Sequence, residues 1–170
     1  MRALRTDGPF TLASGAVSDW YLDARQVTYD GSGAAVVGAA VADAIDPTAT
    51  AVGGLTMGAD PIATATALVA AQHGRPLKSF SIRKEPKGHG VGGRLVGPIA
   101  EGDRVVVLED TTTTGGSMLQ AVDELERNGV EVIQVLSLVD RSDGVVAARL
   151  AERGLPYVAL VEPQDLGLSS

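Results

Sequence analysis

Hydrophobic positions change their spacing several times along the chain, and each change predicts an element. Residues 31–44 are rich in alanine and valine and run into Asp46-Pro47, the pattern of a helix stopped by proline. Residues 50–55 form a short apolar run followed by Gly58, which predicts a buried strand leading into a turn. Asp60 as N-cap and Pro61 at the first helical position open a helix to about His73, stopped at Gly74. Residues 78–83 alternate like a strand, whereas residues 85–97 hold too much glycine and proline for regular structure and predict a mobile loop. Val105 to Leu108 are apolar without a break, a central-strand pattern within residues 103–109. A polar turn over 111–117 leads to a helix over 118–127, with Met118, Leu119, Val122 and Leu125 at helical spacing and Gly129 closing it. A strand over 130–139, a helix over 144–153 and a strand over 157–161 complete the series. Strands alternating with helices predict βαβ units and a mostly parallel sheet, with the site along the C-terminal edge of the strands.

Composition narrows the classes. The 170 residues suit one domain, and 45% hydrophobic against 21% charged excludes wholesale disorder. The absence of cysteine removes disulfides, thiol catalysis and cysteine-held metals. Acidic residues outnumber basic ones 21 to 14, the wrong balance for a general binder of nucleic acid or anionic membrane. No apolar run follows the two early arginines, and none approaches the ~18 residues of a spanning helix. Asn128, the one asparagine, begins no glycosylation sequon. These features predict a soluble cytoplasmic protein with neither nucleic acid nor membrane as partner.

The cations are distributed unevenly. Lys78, Lys84 and Lys87 are the only lysines, and with Arg83 and Arg94 the window 78–94 carries five of the chain's fourteen cations. One concentrated cationic segment in an acidic chain suits either a site for a strongly anionic ligand or a solvated loop. A match to G-x-G-x-x-G at 88–93 lacks the strand before it and the helix after it that a dinucleotide fingerprint needs, so it is accidental.

Residues 105–117 read VVVLEDTTTTGGS. A buried strand ends in two carboxylates, and a threonine–glycine turn then enters a helix. Backbone amides of such a turn and the helix N-terminus form an anion site; the threonine hydroxyls add donors, and Gly115 and Gly116 permit close approach. Glu109 and Asp110 repel a phosphate and suit neighbouring hydroxyls or Mg2+ instead. No Gly-Lys-Ser/Thr occurs, which argues against a P-loop.

Residues 109–117 resemble the phosphoribosyl-diphosphate (PRPP) motif of the type I phosphoribosyltransferases. The segments 10–23 (FTLASGAVSDWYLD), 53–61 (GGLTMGADP), 83–90 (RKEPKGHG) and Asp140-Arg141 are similar, in the same order, to orotate phosphoribosyltransferases. The resemblance implies an α/β fold of the type I phosphoribosyltransferases, a central mostly parallel sheet flanked by helices. It also implies a small N-terminal hood (roughly 1–30) and a mobile catalytic loop (roughly 84–97), within one domain over 1–170. The implied reaction transfers the phosphoribosyl group of PRPP to orotate with Mg2+, giving orotidine 5′-monophosphate and pyrophosphate in pyrimidine biosynthesis. The implied assembly is a homodimer whose loop reaches the partner's site.

Carried over by position, Thr111, Thr112, Thr113, Thr114, Gly115, Gly116 and Ser117 hold the 5-phosphate, and Glu109 and Asp110 face the ribose hydroxyls. Arg83, Lys84, Lys87 and His89 hold pyrophosphate, and Thr113 and Arg141 contact orotate. The residues expected to act in catalysis are Arg83, Lys87, His89 and Asp110, with Mg2+ held mainly through PRPP rather than by an assigned protein ligand. Without the resemblance, Arg141 would read as a salt-bridge partner of Asp140 or Asp143. Trp20 and Tyr21 suit either packing over the base or the hood's own core, and His73 suits a helix C-terminus.

The chain also departs from the pattern. Ala13 and the Thr56-Met57-Gly58 segment stand where many relatives carry lysines, and little chain precedes Phe10. Two other readings are a sister transferase acting on another base and a PRPP-sensing regulator. The loop at 83–90 and Arg141 argue against the first, since a neutral purine needs no partner for a carboxylate. Length and charge argue against the second.

Overall fold

The computed structural model describes residues 3–11, 15, 17–86 and 93–168. Four short strands begin it: β1 (Leu4–Arg5), β2 (Phe10–Thr11), β3 (Val17–Ser18) and β4 (Tyr21–Leu22). β1 pairs antiparallel with β4 and β2 with β3, which makes a small two-ribbon hood. Helices α1 (Arg25–Thr28) and α2 (Gly31–Ala44) follow. Asp30 caps α2, its carboxylate accepting from the Ser32 and Gly33 amides at 3.1 and 3.0 Å.

The remaining elements are β5 (Ala51–Leu55), α3 (Ala59–Gln72), β6 (Lys78–Ile82), β7 (Leu95–Val96), β8 (Arg104–Thr112), α4 (Gly116–Arg127), β9 (Glu131–Asp140), α5 (Val145–Ala151) and β10 (Tyr157–Val161), followed by a 3-10 turn at Pro163–Leu166. Six strands form one sheet in the order β10-β9-β8-β5-β6-β7, parallel throughout except for β7. The α/β architecture and the mostly parallel sheet match the sequence expectation.

Alternation within the strands divides the core into two layers. Val105 and Val107 of β8 pack with Met118, Val122, Leu125 and Leu150, the α4 and α5 side. Val106 and Leu108 pack with Val41, Ile45, Ile62 and Ala63, the α2 and α3 side. Burial on both faces is what an uninterrupted Val-Val-Val-Leu run requires.

The order of connection sets the position of the site. From β5 the chain moves outward to β6, returns to β8 on the other side of β5, and continues through β9 to β10. The connections therefore diverge between β5 and β8. In an open α/β sheet that divergence leaves a crevice beyond the strand C-termini. Here the crevice receives residues 55–58 from β5 and residues 109–117 from β8.

Three boundaries differ from the sequence expectation. Helix α3 starts at Ala59, with Gly58 as its N-cap and no side-chain cap, so Asp60 lies within the first turn, where the helix dipole favours a carboxylate. β8 extends through Thr111 and Thr112, because these β-branched residues continue the ladder opposite Val139 and Asp140. The turn is thus shorter, and Gly115, at φ 74°, caps α4 in a left-handed conformation that glycine tolerates. Within the loop, Leu95 and Val96 pair with Ile82 and Ser81. Arg83 N donates to Arg94 O at 2.8 Å and Arg94 Nε donates back to Arg83 O at 2.7 Å, which joins the two ends of the loop.

Candidate active site

Two clefts open at the divergence point, and they share Asp110 and Arg25. The first, about 360 Å³, is lined by Leu55, Thr56, Met57 and Gly58 on one side and by Glu109, Asp110 and Ser117 on the other, with Lys84 at its rim. The second, about 420 Å³, lies between the hood and the turn; Tyr21 and Leu22 face Thr111, Thr113, Thr114 and Arg141. A group spanning both clefts passes Asp110 at their junction.

The carboxylates occupy unequal surroundings. Burial, with the neighbouring Asp110 charge second, pushes Glu109 up to about 8, so it holds a proton at neutral pH. Thr111 N donates to Asp110 Oδ1 at 2.8 Å. A Cβ on Gly58 would meet Asp110 Oδ1 at 2.7 Å, so a side chain at position 58 would displace that carboxylate.

The turn after β8 is built from both directions. Gly115 N donates to the buried hydroxyl of Thr112 at 3.2 Å, which ties the turn to the end of β8. Arg149 reaches from α5 to the Thr114 carbonyl. Ser117, in the first turn of α4, lines the first cleft, whereas Thr111, Thr113 and Thr114 line the second. Gly116 begins α4 between these two groups.

Arg141 follows directly on β9. Its amide donates to the Thr112 carbonyl at 2.8 Å, its Nη2 donates to Ser18 Oγ at 3.3 Å, and its guanidinium carbon lies 3.7 Å from the Trp20 ring centroid. Burial lowers its pKa from the ordinary arginine value. Asp140 accepts from the Ser142 amide at 2.7 Å rather than pairing with Arg141. Of the two hood aromatics, Trp20 is buried under Arg141 and Tyr21 lines the cleft. His73 caps α3, its Nδ1 2.9 Å from the Val69 carbonyl.

The cationic window does not act as one cluster. Lys78 Nζ is 2.9 Å from both Asp103 oxygens, and Arg94 is bound to Glu124 at 3.2 Å, so both are structural. Lys84 lines the first cleft, Arg83 lies at the base of the loop, and Lys87 and His89 fall outside the described residues. Sequence reasoning missed Arg25, which lines both clefts. The hood segment that carried the resemblance stops at Asp23, two residues before it, and a lone arginine at a helix start carries no signal of its own.

Among the described residues, no three His, Cys, Asp or Glu side chains group closely enough to hold a metal ion, and no helix is long and apolar enough to cross a membrane.

A family model described as "Phosphoribosyl transferase domain" matches residues 32–153. The orotate phosphoribosyltransferase of Streptomyces avermitilis is 46% identical over 162 residues, covering 95% of this chain and 89% of that protein. That of Aquifex aeolicus is 42% identical over 158 residues, covering 92% and 86%. Among solved structures, Mycobacterium tuberculosis orotate phosphoribosyltransferase in complex with PRPP superposes with a TM-score of 0.78 at 37% identity, covering 94% of this chain and 90% of that one. Leishmania donovani adenine phosphoribosyltransferase shares the fold at a TM-score of 0.62 and 16% identity, covering 89% and 72%.

Proposed function

The chain belongs to the orotate phosphoribosyltransferases, within the phosphoribosyl transferase family, and from that premise we propose how its residues divide the work. The enzyme transfers the phosphoribosyl group of PRPP to orotate, giving orotidine 5′-monophosphate and pyrophosphate in pyrimidine biosynthesis. The observation that carries the residue assignment is the pair of clefts meeting at Asp110, one lined by Lys84 and Ser117 and the other by Arg141 and Thr113.

In the reaction the bond from the anomeric carbon to a pyrophosphate oxygen breaks as a ring nitrogen of orotate bonds to that carbon and loses its proton to the departing diphosphate or to water. Positive charge builds on the ribose and negative charge on the leaving group. Arg83, Lys84, Lys87 and His89 stabilise the departing diphosphate, while Asp110 and Glu109 face the ribose hydroxyls. The amides and hydroxyls of Thr111–Ser117, at the N-terminus of α4, bind the 5-phosphate. Arg141 pairs with the orotate carboxylate in a fork, assisted by Thr113. Water reaching the cation-like ribose would hydrolyse PRPP, and a loop bearing Lys87 and His89 that closes over bound substrate excludes it.

The donor set suits Mg2+ carried in by the substrate. Glu109 and Asp110 are the only carboxylates lining the first cleft among the described residues, too few for an all-protein cage and consistent with a cation that keeps water and phosphate ligands. When bound, Mg2+ supplies positive charge to the diphosphate. We place the enzyme in the cytoplasm as a homodimer, each loop serving the partner's site.

Purified protein with orotate, PRPP and Mg2+ tests this reading through the loss of orotate's ultraviolet absorbance. Turnover by the parent, its collapse in Lys87→Ala and its dependence on Mg2+ are the expected results. Mixing Lys87→Ala with Asp110→Asn restores activity if the loop is shared between subunits. Failure to turn over orotate while PRPP still binds would redirect the assignment to another base.

A further inference from the structure

Arg25 occupies a position that the roles above do not explain. It begins α1 directly below the hood and lines the first cleft with Lys84 and the second with Arg141. Its Nε donates to Asp23 Oδ1 at 2.9 Å, which uses one donor of the fork and leaves those of the terminal nitrogens. The side chain is exposed, so the Asp23 contact orients it rather than buries it. That same hydrogen bond holds the Asp23 carboxyl below its ordinary range, and the pair stays ionised together.

The charge around the first cleft shows what such a cation can do. A diphosphate entering there meets Asp110 beside Glu109, and of the cations lining the cleft Lys84 stands on the loop side. Arg25 stands on the hood side of the same space. Arg141 lines the second cleft but not the first, whereas Arg25 lines both, so the shared position at the junction suits the anomeric carbon and its leaving group rather than the orotate carboxylate.

We propose that Arg25 is a substrate-contacting cation, its guanidinium binding the diphosphate of PRPP from the hood side, opposite Lys84, with Asp23 as its positioning residue. A planar fork held by Nε offers its terminal donors to two phosphate oxygens, which a lysine cannot do with the same geometry. The contact joins the hood to the leaving group and makes diphosphate affinity depend on the segment that also covers the base. The assignment rests on the orotate phosphoribosyltransferase reading, because it presumes PRPP as the occupant.

The test uses the full chain with Arg25→Ala, Arg25→Gln, Arg25→Lys and Asp23→Asn. Steady-state kinetics should show KM for PRPP raised about tenfold or more in Arg25→Ala and Arg25→Gln, with KM for orotate unchanged. Arg25→Lys should recover part of the loss, and Asp23→Asn should shift the same parameter less. Calorimetry with inorganic pyrophosphate and Mg2+ as the probe should show a parallel loss of affinity in Arg25→Ala. Unchanged PRPP KM together with unchanged pyrophosphate affinity would overturn the proposal, as would a rise confined to orotate KM. If the parent fails to turn over orotate, the functional reading falls, yet the pyrophosphate measurement still decides the role of Arg25. Because the side chain is exposed, the variants should fold like the parent, and matching melting curves confirm that the comparison is one of binding.

Discussion

The Arg141 guanidinium carbon sits 3.7 Å from the centroid of the Trp20 ring, so the end of a central strand and the N-terminal hood share one stacked pair. Trp20 is 8% exposed, and Ser18, two residues earlier, accepts from the same guanidinium. The hood thus fixes the plane of the group expected to receive the orotate carboxylate. Removing the ring in Trp20→Leu should raise KM for orotate roughly two- to thirty-fold, the equivalent of a cation–π contact of about 0.5–2 kcal/mol. Trp20→Phe keeps a ring and should lose less, while KM for PRPP should stay near the parent value in both. Equal shifts in the two constants would mean that the pair supports the hood as a whole rather than Arg141.

Glu109 gives the ligand-free enzyme a pH dependence of defined sign. Its carboxyl, raised to about 8 by burial and then by Asp110, keeps its proton in the folded state at pH values where the unfolded chain has lost it. The stabilisation is therefore complete below the ordinary value of 4.5 and disappears as pH rises through about 8. At its largest it is on the order of 5 kcal/mol. Urea denaturation between pH 5 and 9 should show stability falling with pH for the parent, and Glu109→Gln should flatten that slope and melt higher at the alkaline end. A slope unchanged in Glu109→Gln would place the proton elsewhere.

The sheet and the motif after β8 were legible in the sequence because each rests on local chemistry. Val105–Leu108 can only be buried on both faces, and two carboxylates followed by four threonines and two glycines have few structural uses. Other features depend on tertiary contacts that local pattern does not encode. Lys78 and Arg94 lie in a cationic window that suited either an anion site or a solvated loop, but Asp103 and Glu124, 25 and 30 residues away in sequence, claim them. That the residue preceding α3 is a glycine reflects the closeness of Asp110, a residue on another strand. Arg25 acquires meaning only when β4 brings it beside Asp110. Thr111 and Thr112 looked like turn residues on polarity alone, whereas their partners on β9 keep them in the ladder.

The Arg94–Glu124 pair yields a prediction about the base of the loop. Glu124 is 8% and Arg94 17% exposed at the side chain, and Glu124 also pairs with Arg127 at 2.9 Å. Arg94 in turn donates to the Arg83 carbonyl, so the pair holds the strand that sets the loop's exit. Glu124→Ala leaves a largely buried guanidinium without its carboxylate, at a cost of about 3 kcal/mol. For a chain of this size that should lower Tm by roughly 6–12 °C. KM for PRPP should also rise, since Arg83 is among the residues expected to hold pyrophosphate. Scanning calorimetry and kinetics on one variant check both, and a fall in Tm with unaltered kinetics would separate the clamp from the loop's function.

Two glycines at the C-terminal half of β5 and just beyond it separate activity from stability. A Cβ at Gly58 meets the far end of a side chain, Asp110 Oδ1, at 2.7 Å, and the backbone there is already helical at φ −62°. Alanine suits that conformation, so Gly58→Ala should leave Tm within about 2 °C of the parent. The displaced carboxylate, however, lies where the two clefts meet. In the role proposed for Asp110, a misplacement of as little as an ångström costs on the order of a hundredfold, and kcat/KM should fall by about that much. Gly54 presents the opposite case. Its Cβ would lie 2.2 Å from the Leu108 carbonyl oxygen, a backbone atom fixed within the central sheet. Gly54→Ala must therefore push β5 and β8 apart, at about 1–3 kcal/mol for overpacking, with Tm lowered by roughly 3–10 °C. Melting curves and kcat/KM on the two variants should rank them in opposite orders. The same order in both measurements would mean that Asp110 moves aside freely and that its position is not set by the space Gly58 leaves.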